Sequence, residues 1–193
     1  MLASNARRLL VRPGEITEIV GALSSGRTSL VMCALADLTR GGTATALIDA
    51  DGAFDPATAA RAGVVLERLL WVRCARDRAR ALRAADLLVR CPGFGAVALD
   101  VGETPPALTL TAAFRLKLAV RQRGAALLIV GRRRITGPGA GLVLQTTQTG
   151  QEWTRSAARP TRLAALRTAV RVLRSRGPWK TGLVSDADWR WSA

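Results

Sequence analysis

The eight residues GALSSGRT, from Gly21 to Thr28, have the spacing of a phosphate-binding loop, G-x-x-x-x-G-K-[ST]. In such a loop the glycines let backbone N–H groups approach the phosphates, the Lys reaches the β- and γ-phosphates, and the hydroxyl holds Mg²⁺. Arg27 replaces the Lys, and its planar guanidinium either binds phosphate through two nitrogens or fills the loop itself. The glycines are also needed for the turn of a vestigial loop that binds nothing. The candidate nucleotide-binding residues, functional or vestigial, are Gly21, Ser24, Ser25, Gly26, Arg27 and Thr28.

Three aspartates are candidates for the acidic groups of such a site. Asp100 ends the apolar run AVALD, where proteins that hydrolyse nucleotides place a carboxylate that orients the metal ion. Alternatively, Asp100 pairs with Arg27 or caps the loop. Asp51 and Asp55 both lie in the stretch IDADGAFDP. Asp55 is followed by Pro and is predicted to cap a short helix, whereas Asp51 either belongs to the site or has no task there.

A second candidate site is the basic run Arg132, Arg133 and Arg134, which opens a Gly-rich loop over residues 131–141. If these arginines bind DNA, they contact phosphates, so binding is independent of base sequence and weakens with salt. The alternative is a solvated run of surface charges.

The C-terminal stretch GPWKTGLVSDADWRWSA, residues 177–193, is a candidate partner surface. Its three tryptophans beside arginines suit a protein hot spot or base stacking, or the indoles fold back and seal the edge of the sheet. The segment Leu163–Arg176 fits either an amphipathic interaction helix or a strand of the core. The candidate partner-binding residues are Arg171, Arg174, Trp179, Trp189 and Trp191.

The charge of the chain favours an anionic partner. Its formal net charge is +15, and residues 121–193 hold 14 basic and 3 acidic residues, a net of +11. Nearly all of the basic residues are Arg, which a GC-rich genome would also produce. Codon bias would spread the charge evenly, however, so its concentration in the last third indicates an anionic partner such as DNA.

Composition excludes several classes of protein. The chain has no His, so a Ser-His-Asp triad is excluded and a zinc site is disfavoured. Its three cysteines, Cys33, Cys74 and Cys91, form no CxxC pair, and we expect no bound metal. We see neither a secretory signal nor an apolar run long enough to span a membrane. A cytoplasmic protein is the simplest expectation, and association with the nucleoid is an extension of it.

The elements that must position these residues alternate between strand and helix. Predicted strands, from apolar and β-branched runs, are Glu15–Val20, Thr43–Asp49, Arg68–Val72, Ala96–Asp100 and Ala125–Val130. Predicted helices are Thr28–Arg40, Pro56–Ala62, Asp77–Val89 and Leu108–Arg123. A hairpin of Leu142–Gln148 and Gln151–Arg155 is predicted around Thr149-Gly150. This order predicts an α/β fold with a mainly parallel central sheet, helices on both faces and antiparallel C-terminal strands.

The length suits one domain over residues 1–193. We divide it into a short N-terminal segment (1–13), a core (14–155) and a basic, Trp-containing C-terminal segment (156–193).

The sequence resembles the RecA recombinase family. The resemblance rests on four segments, GEITEIVGALSSGRTSL (14–30), ALIDADGAFDPATAARAGVVLERLLWV (46–72), VALD (97–100) and LLIVGRRR (127–134). It covers the first 135 residues or so well and the remainder loosely. The resemblance implies a RecA-like P-loop core, which in that family is an ATPase that forms filaments on single-stranded DNA.

Departures from the family pattern affect ATP chemistry. Beside Arg27, the resemblance places Asp51 where the family has its catalytic Glu, and Arg132 where it has a Gln that links ATP to a DNA-binding loop. Asp is one methylene shorter than Glu, so its carboxylate lies farther from the water that a general base must contact within hydrogen-bond distance. We therefore expect no catalytic residues, with Asp51, Asp100 and Arg132 as degenerate equivalents. We expect a protein that is not an efficient enzyme, while weak residual ATPase activity stays open. No cofactor is expected, and weak binding of ATP and Mg²⁺ without turnover stays open.

A short RecA-like chain of this kind is similar to the ImuA family of mutasome accessory proteins. That resemblance implies a non-catalytic role in SOS-induced translesion DNA synthesis. The implied partners are an inactive Y-family polymerase relative of the ImuB type, RecA, an error-prone replicative polymerase indirectly, and DNA. Two alternatives stay open: an ATP-dependent recombinase-like enzyme that binds DNA, and a damage-induced inhibitor of cell division or of RecA that acts only by binding protein.

Overall fold

The structure, a computed structural model, describes residues 8–156, 159–177, 181–183 and 189–192. Its strands are β1 (Ile16–Val20), β2 (Ala44–Asp49), β3 (Leu69–Arg73), β4 (Phe94–Asp100), β5 (Ala126–Gly131), β6 (Leu142–Ser156), β7 (Arg159–Ser175), β8 (Gly182–Leu183) and β9 (Trp189–Ser192). Its helices are α1 (Arg27–Arg40), α2 (Pro56–Arg61), α3 (Arg78–Arg90) and α4 (Leu110–Arg123), with a 3₁₀ turn at Leu66–Arg68.

The described strands form one sheet in the order β3-β2-β4-β5-β1-β6-β7-β8, with β9 also paired to β7. Strands β1 to β6 run parallel to one another, and β7 is antiparallel to β6, β8 and β9. The predicted fold class, a mainly parallel sheet with antiparallel C-terminal strands, is confirmed. The parallel register aligns the carboxyl ends, because Asp49 pairs with Asp100 and Asp100 pairs with Val130.

Local signals explain where the helices begin and end. The Asp55 carboxylate accepts hydrogen bonds from the N–H groups of Ala57 and Thr58, which confirms the predicted cap of α2. Asp77 caps α3 in the same way, accepting from Arg80 N. Helix α4 ends at Arg123 and is capped by Gly124, whose positive φ of 75° suits glycine.

The core has two apolar layers, one on each face of the sheet. Helix α1 packs on one face through buried residues such as Leu30 and Leu35, and α3 and α4 pack on the other through Val89 and Leu116. None of the described helices is long and apolar enough to cross a membrane.

The predicted hairpin around Thr149-Gly150 is wrong. Both halves belong to the single strand β6, and the register shift between Gln148 and Gly150 marks a bulge rather than a turn. The ambiguous segment 163–176 is strand β7 as far as Ser175, between β6 and the short strands β8 and β9. Its long pairing with β6 decides between the two conformations that the sequence left open.

Candidate functional site

The phosphate-loop sequence lies between β1 and α1, at the carboxyl edge of the sheet. Gly26 has a φ of 85°, and a Cβ atom there would collide with the Thr168 hydroxyl on β7. The Ser25 and Thr146 hydroxyls share a hydrogen bond of 2.8 Å, which ties the loop to β6. The close approach of Gly26 to β7 and the hydrogen bond between Ser25 and Thr146 therefore hold the loop against the neighbouring strands, whether or not it binds a ligand.

Arg27 folds back over its own loop. Its guanidinium donates one hydrogen bond to the Gly21 carbonyl and another to the Glu103 carboxylate. The side chain is 8% exposed, whereas that of Glu103 is 31% exposed. Of the two alternatives for this residue, the structure adopts the one in which the guanidinium fills the loop.

Glu103 connects the loop to the basic run. One carboxylate oxygen binds Arg27, and the other lies 3.4 Å from Nη1 of Arg132. The hydrogen bond from Arg27 lowers the pKa of Glu103 below its usual range, and Arg132 adds to the effect although partial burial opposes it. The ion pair that sequence reasoning offered for Asp100 is thus made by Glu103.

Asp100 stands at the end of β4, as predicted, and accepts a hydrogen bond of 2.9 Å from Gly102 N. Burial raises its pKa, an effect that this hydrogen bond and nearby Arg27 partly oppose. Asp100, Thr28 and Asp49 line a small cavity of about 110 Å³. The Asp49 carboxylate is occupied by the N–H groups of residues 52–54, so it organises the loop after β2.

The Asp51 carboxylate is paired with an arginine. Its carboxylate forms an ion pair with Arg78, at the start of α3. Arg78 also donates to both the carbonyl and the hydroxyl of Thr104 and to the Ala50 carbonyl, at 2.9–3.4 Å. The arginine therefore holds Asp51 beside the loop that follows β4.

The basic run lies where β5 ends and faces outward. Arg133 donates to the Pro105 carbonyl at 3.0 Å, and Arg134 to the Gly137 carbonyl at 2.7 Å. Buried Glu18 on β1 accepts from the N–H groups of residues 135 and 136, which fixes the loop from below. Beside it, a cleft of about 440 Å³ is lined by Arg132 together with the phosphate loop and β6.

The candidate partner residues are distributed along the C-terminal strands. Arg171 lies exposed on β7, and Arg174 donates to the Gly137 carbonyl at 3.2 Å. Trp179 lies outside the described residues. Trp189 and Trp191 belong to β9, which pairs with β7, and their side chains lie outside what the structure describes.

A phosphate-binding loop implies ATP and Mg²⁺, and the residues fit that group only in part. Thr28 and Asp100, the hydroxyl and carboxylate that would hold the metal ion, still line one cavity. The phosphate side does not fit, because the two Arg27 nitrogens that would meet a phosphate are bound to Gly21 and Glu103. A bound phosphate would have to displace the Glu103 carboxylate.

Sequence reasoning missed Glu103, Arg78 and Glu18. A signal existed for Glu103, since it follows Asp100 by three residues and the loops after parallel strands meet at one edge of the sheet. Arg78 is one of many arginines in its region, and buried Glu18 sits in an apolar strand with no pattern that marks its partner.

Comparison with known proteins matches residues 10–125 to the family described as the RecA N-terminal domain. Protein RecA of Borrelia hermsii is 37% identical over 126 residues, which are 64% of this chain and 34% of that protein. Protein RecA of Acinetobacter baumannii is also 37% identical over 126 residues, covering 35% of its length. The chain thus spans about a third of the length of these curated relatives.

The fold is also found among solved structures. The crystal structure of the RadB recombinase superposes with a TM-score of 0.63, over 86% of this chain and 83% of that one, at 16% sequence identity. This likeness concerns the fold alone.

Proposed function

The chain belongs to the RecA family, because residues 10–125 match that family's N-terminal domain, and we propose that it is a non-catalytic member. It acts as an accessory protein in SOS-induced translesion DNA synthesis. There it bridges an inactive Y-family polymerase relative, RecA and DNA. The role is that of an assembly factor, in which the recombinase scaffold is retained and ATP chemistry is not used.

The observation that carries this proposal is the bonding of Arg27 to Gly21 and Glu103. An arginine held by its own loop and by a carboxylate already has the anionic partner that a phosphate would provide. Asp51, at the position of the family's water-orienting Glu, is paired with Arg78 in the same way. Two groups that an ATPase needs free are therefore engaged with other protein side chains.

The partner assignment rests on charge and on the resemblance to the ImuA family. Residues 121–193 carry a net of +11, which suits DNA and acidic protein surfaces. Arg132, Arg133 and Arg134 are the proposed phosphate contacts, because all three are exposed at the loop beside the 440 Å³ cleft. The proposed contacts with the polymerase relative lie on the C-terminal strands, at Arg171 and Arg174 and at the tryptophans.

One observation favours a second candidate, an ATP-dependent DNA-binding enzyme. Thr28 and Asp100 still share a cavity, as a metal site would require. If Glu103 moved away when ATP arrived, the guanidinium would become free for phosphate. An enzyme of this kind hydrolyses ATP faster with single-stranded DNA, and the substitution Asp51→Asn abolishes that activity.

Co-expression with an inactive Y-family polymerase relative tests the proposed function. We expect the two proteins to elute together from a sizing column at physiological salt, with and without Mg-ATP. The matched pair of variants is Arg27→Ala, which should still co-elute, and Arg171→Glu/Arg174→Glu, which should not. Separate elution of the unmodified proteins would contradict the proposal.

A further inference from the structure

The outward face of α4 carries an apolar stripe. Leu110, Phe114 and Leu118 follow one another at four-residue spacing and are 61%, 50% and 57% exposed. Residues at this spacing lie on one side of a helix, so the three side chains form a continuous strip. Core contacts of α4 are made instead by its buried residues, such as Leu116 and Val120. Isolated exposed leucines are ordinary, but a strip of this kind marks a surface that meets a partner.

A basic pocket adjoins the end of this strip. Lys117 and Arg121 lie within about 20° of Leu110 on the helical wheel, and with Arg176 they line a pocket of about 420 Å³. The Lys117 ammonium lies 5.8 Å from the centre of the Phe114 ring, so the two parts of the surface are continuous. Among the described residues, Glu15 is the only carboxylate that lines the pocket, and it forms an ion pair with Arg12.

Lys117 and Arg121 have one carboxylate nearby, Glu15, which is already paired with Arg12. Neither Lys117 nor Arg121 forms a hydrogen bond or an ion pair with another part of the chain that the structure describes. Partial burial lowers the pKa of Lys117, and the neighbouring charges of Arg176 and Arg121 lower it further, although Glu15 opposes the effect. An anionic group bound in the pocket would relieve this repulsion.

We propose that the stripe and the pocket together bind an acidic amphipathic segment of a protein partner. Its apolar side chains would cover Leu110, Phe114 and Leu118, and its carboxylates would enter the pocket at Lys117 and Arg121. A nucleic acid backbone would leave the apolar stripe uncovered. A lipid surface is flat, whereas the cations line a concave pocket in which one or two carboxylates can be surrounded.

The surface is separate from the phosphate loop. The pocket is lined by Gly14 and Glu15, before β1, whereas the loop follows the other end of this strand. The strand is five residues long, Ile16–Val20, which separates the two sites by about 13 Å or more.

Because the proposal assigns this surface to a protein partner, it rests on the proposed accessory function. A peptide can nevertheless occupy the surface when the polymerase relative is absent. Failure of co-elution and failure of peptide binding are therefore distinguishable.

Selection from a displayed library of random peptides about 16 residues long, or about four helical turns, tests the proposal on the full chain. We expect enriched peptides to carry Leu, Phe or Met at four-residue spacing with at least two acidic residues near one end. Enrichment without an acidic bias, or no enrichment, would overturn the proposal.

Synthesis of the best selected peptide then tests the surface. The Lys117→Glu/Arg121→Glu variant and the Phe114→Ala/Leu118→Ala variant should each bind it at least about tenfold more weakly. The control Arg83→Glu/Arg123→Glu has the same net charge as the first variant, and Leu87→Ala removes an equally exposed leucine on α3. Both controls should bind as the unmodified chain does, and all variants should keep its melting temperature because the substituted side chains are exposed or only partly buried.

Equal weakening by the controls would overturn the proposed surface. Poly(dT) and phosphatidylglycerol vesicles serve as competing probes. If either binds the unmodified chain through Lys117 and Arg121 more tightly than the peptide does, the face is a nucleic acid or lipid surface and the proposal is wrong.

Discussion

Replacing Glu103 with Gln tests the bonding of Arg27 directly. The substitution keeps the shape of the side chain but removes the charge that faces a guanidinium only 8% exposed. A hydrogen bond between charged groups contributes about 1.5–3 kcal/mol when it is well buried. Glu103 is 31% exposed, so solvent screens part of the interaction. We expect a loss of about 1–2 kcal/mol in the free energy of unfolding, or about 2–8 °C in Tm for a chain of this size.

The effect should depend on pH in a defined direction. Arg27 lowers the pKa of Glu103 in the folded state, so the ionised carboxylate stabilises the fold. That stabilisation is complete above the pKa of an unfolded glutamate, about 4.3, and is lost as pH falls through the lower folded value. The difference between the unmodified chain and Glu103→Gln should therefore be full near neutral pH and shrink in acid.

Urea unfolding near pH 7 and again below about pH 4 measures this difference. Glu67→Gln, at an exposed glutamate, is the control for loss of a carboxylate that has no arginine partner among the described residues. Equal stability of Glu103→Gln and the control near neutral pH would refute the reasoning. A deficit of the same size at both pH values would also refute it, because the cause would then not be the ionised carboxylate.

Three further substitutions test the loop, a helix cap and the basic run. Gly26→Ala should lower the free energy of unfolding, measured with urea, by about 2–4 kcal/mol, because φ is positive there and a Cβ atom would collide with β7. A loss under about 0.5 kcal/mol would contradict the close packing of the loop against β7. Asp55→Ala should lower Tm by removing the cap of α2, and an unchanged Tm would show that the cap is dispensable. For the Arg132→Ala/Arg133→Ala/Arg134→Ala variant, the slope of log K against log salt for single-stranded DNA should become shallower by about 2, whereas an unchanged slope would place the phosphate contacts elsewhere.

Much of the first 131 residues could be predicted because the signals there are local. The strand bounds lie within two residues of the prediction for β1 to β5, and the cap at Asp55 is a short-range hydrogen bond. Apolar runs, helical spacing and capping residues report on structure within a few positions of themselves. The same signals located the phosphate loop and placed Asp100 at the end of β4.

The C-terminal strands depend on distant pairing, which local signals do not report. Thr149-Gly150 has the composition of a turn, but pairing with β7 runs past it and converts it into a bulge within β6. Segment 163–176 fits a helix by spacing, yet its Val and Thr residues suit a strand once β6 is beside it. The tertiary partner decided both cases.

The chemistry of the candidate site depends on contacts between residues far apart in sequence. Arg27 and Glu103 are separated by 76 positions, and Arg78 and Asp51 by 27. The type of residue at position 27 indicated an altered loop, but which carboxylate it binds follows only from the parallel register that brings the ends of β1 and β4 to one edge.

Hydrolysis of ATP by the full chain, with and without single-stranded DNA, tests the central claim most directly. The measurement compares the unmodified chain, Arg27→Lys and Asp51→Asn. Arg27→Lys restores the lysine of the phosphate-loop pattern, and Asp51→Asn removes the carboxylate that the resemblance places where the family has its catalytic Glu. We predict no DNA-stimulated turnover in any of the three. Turnover by the unmodified chain that Asp51→Asn abolishes would contradict a non-catalytic role.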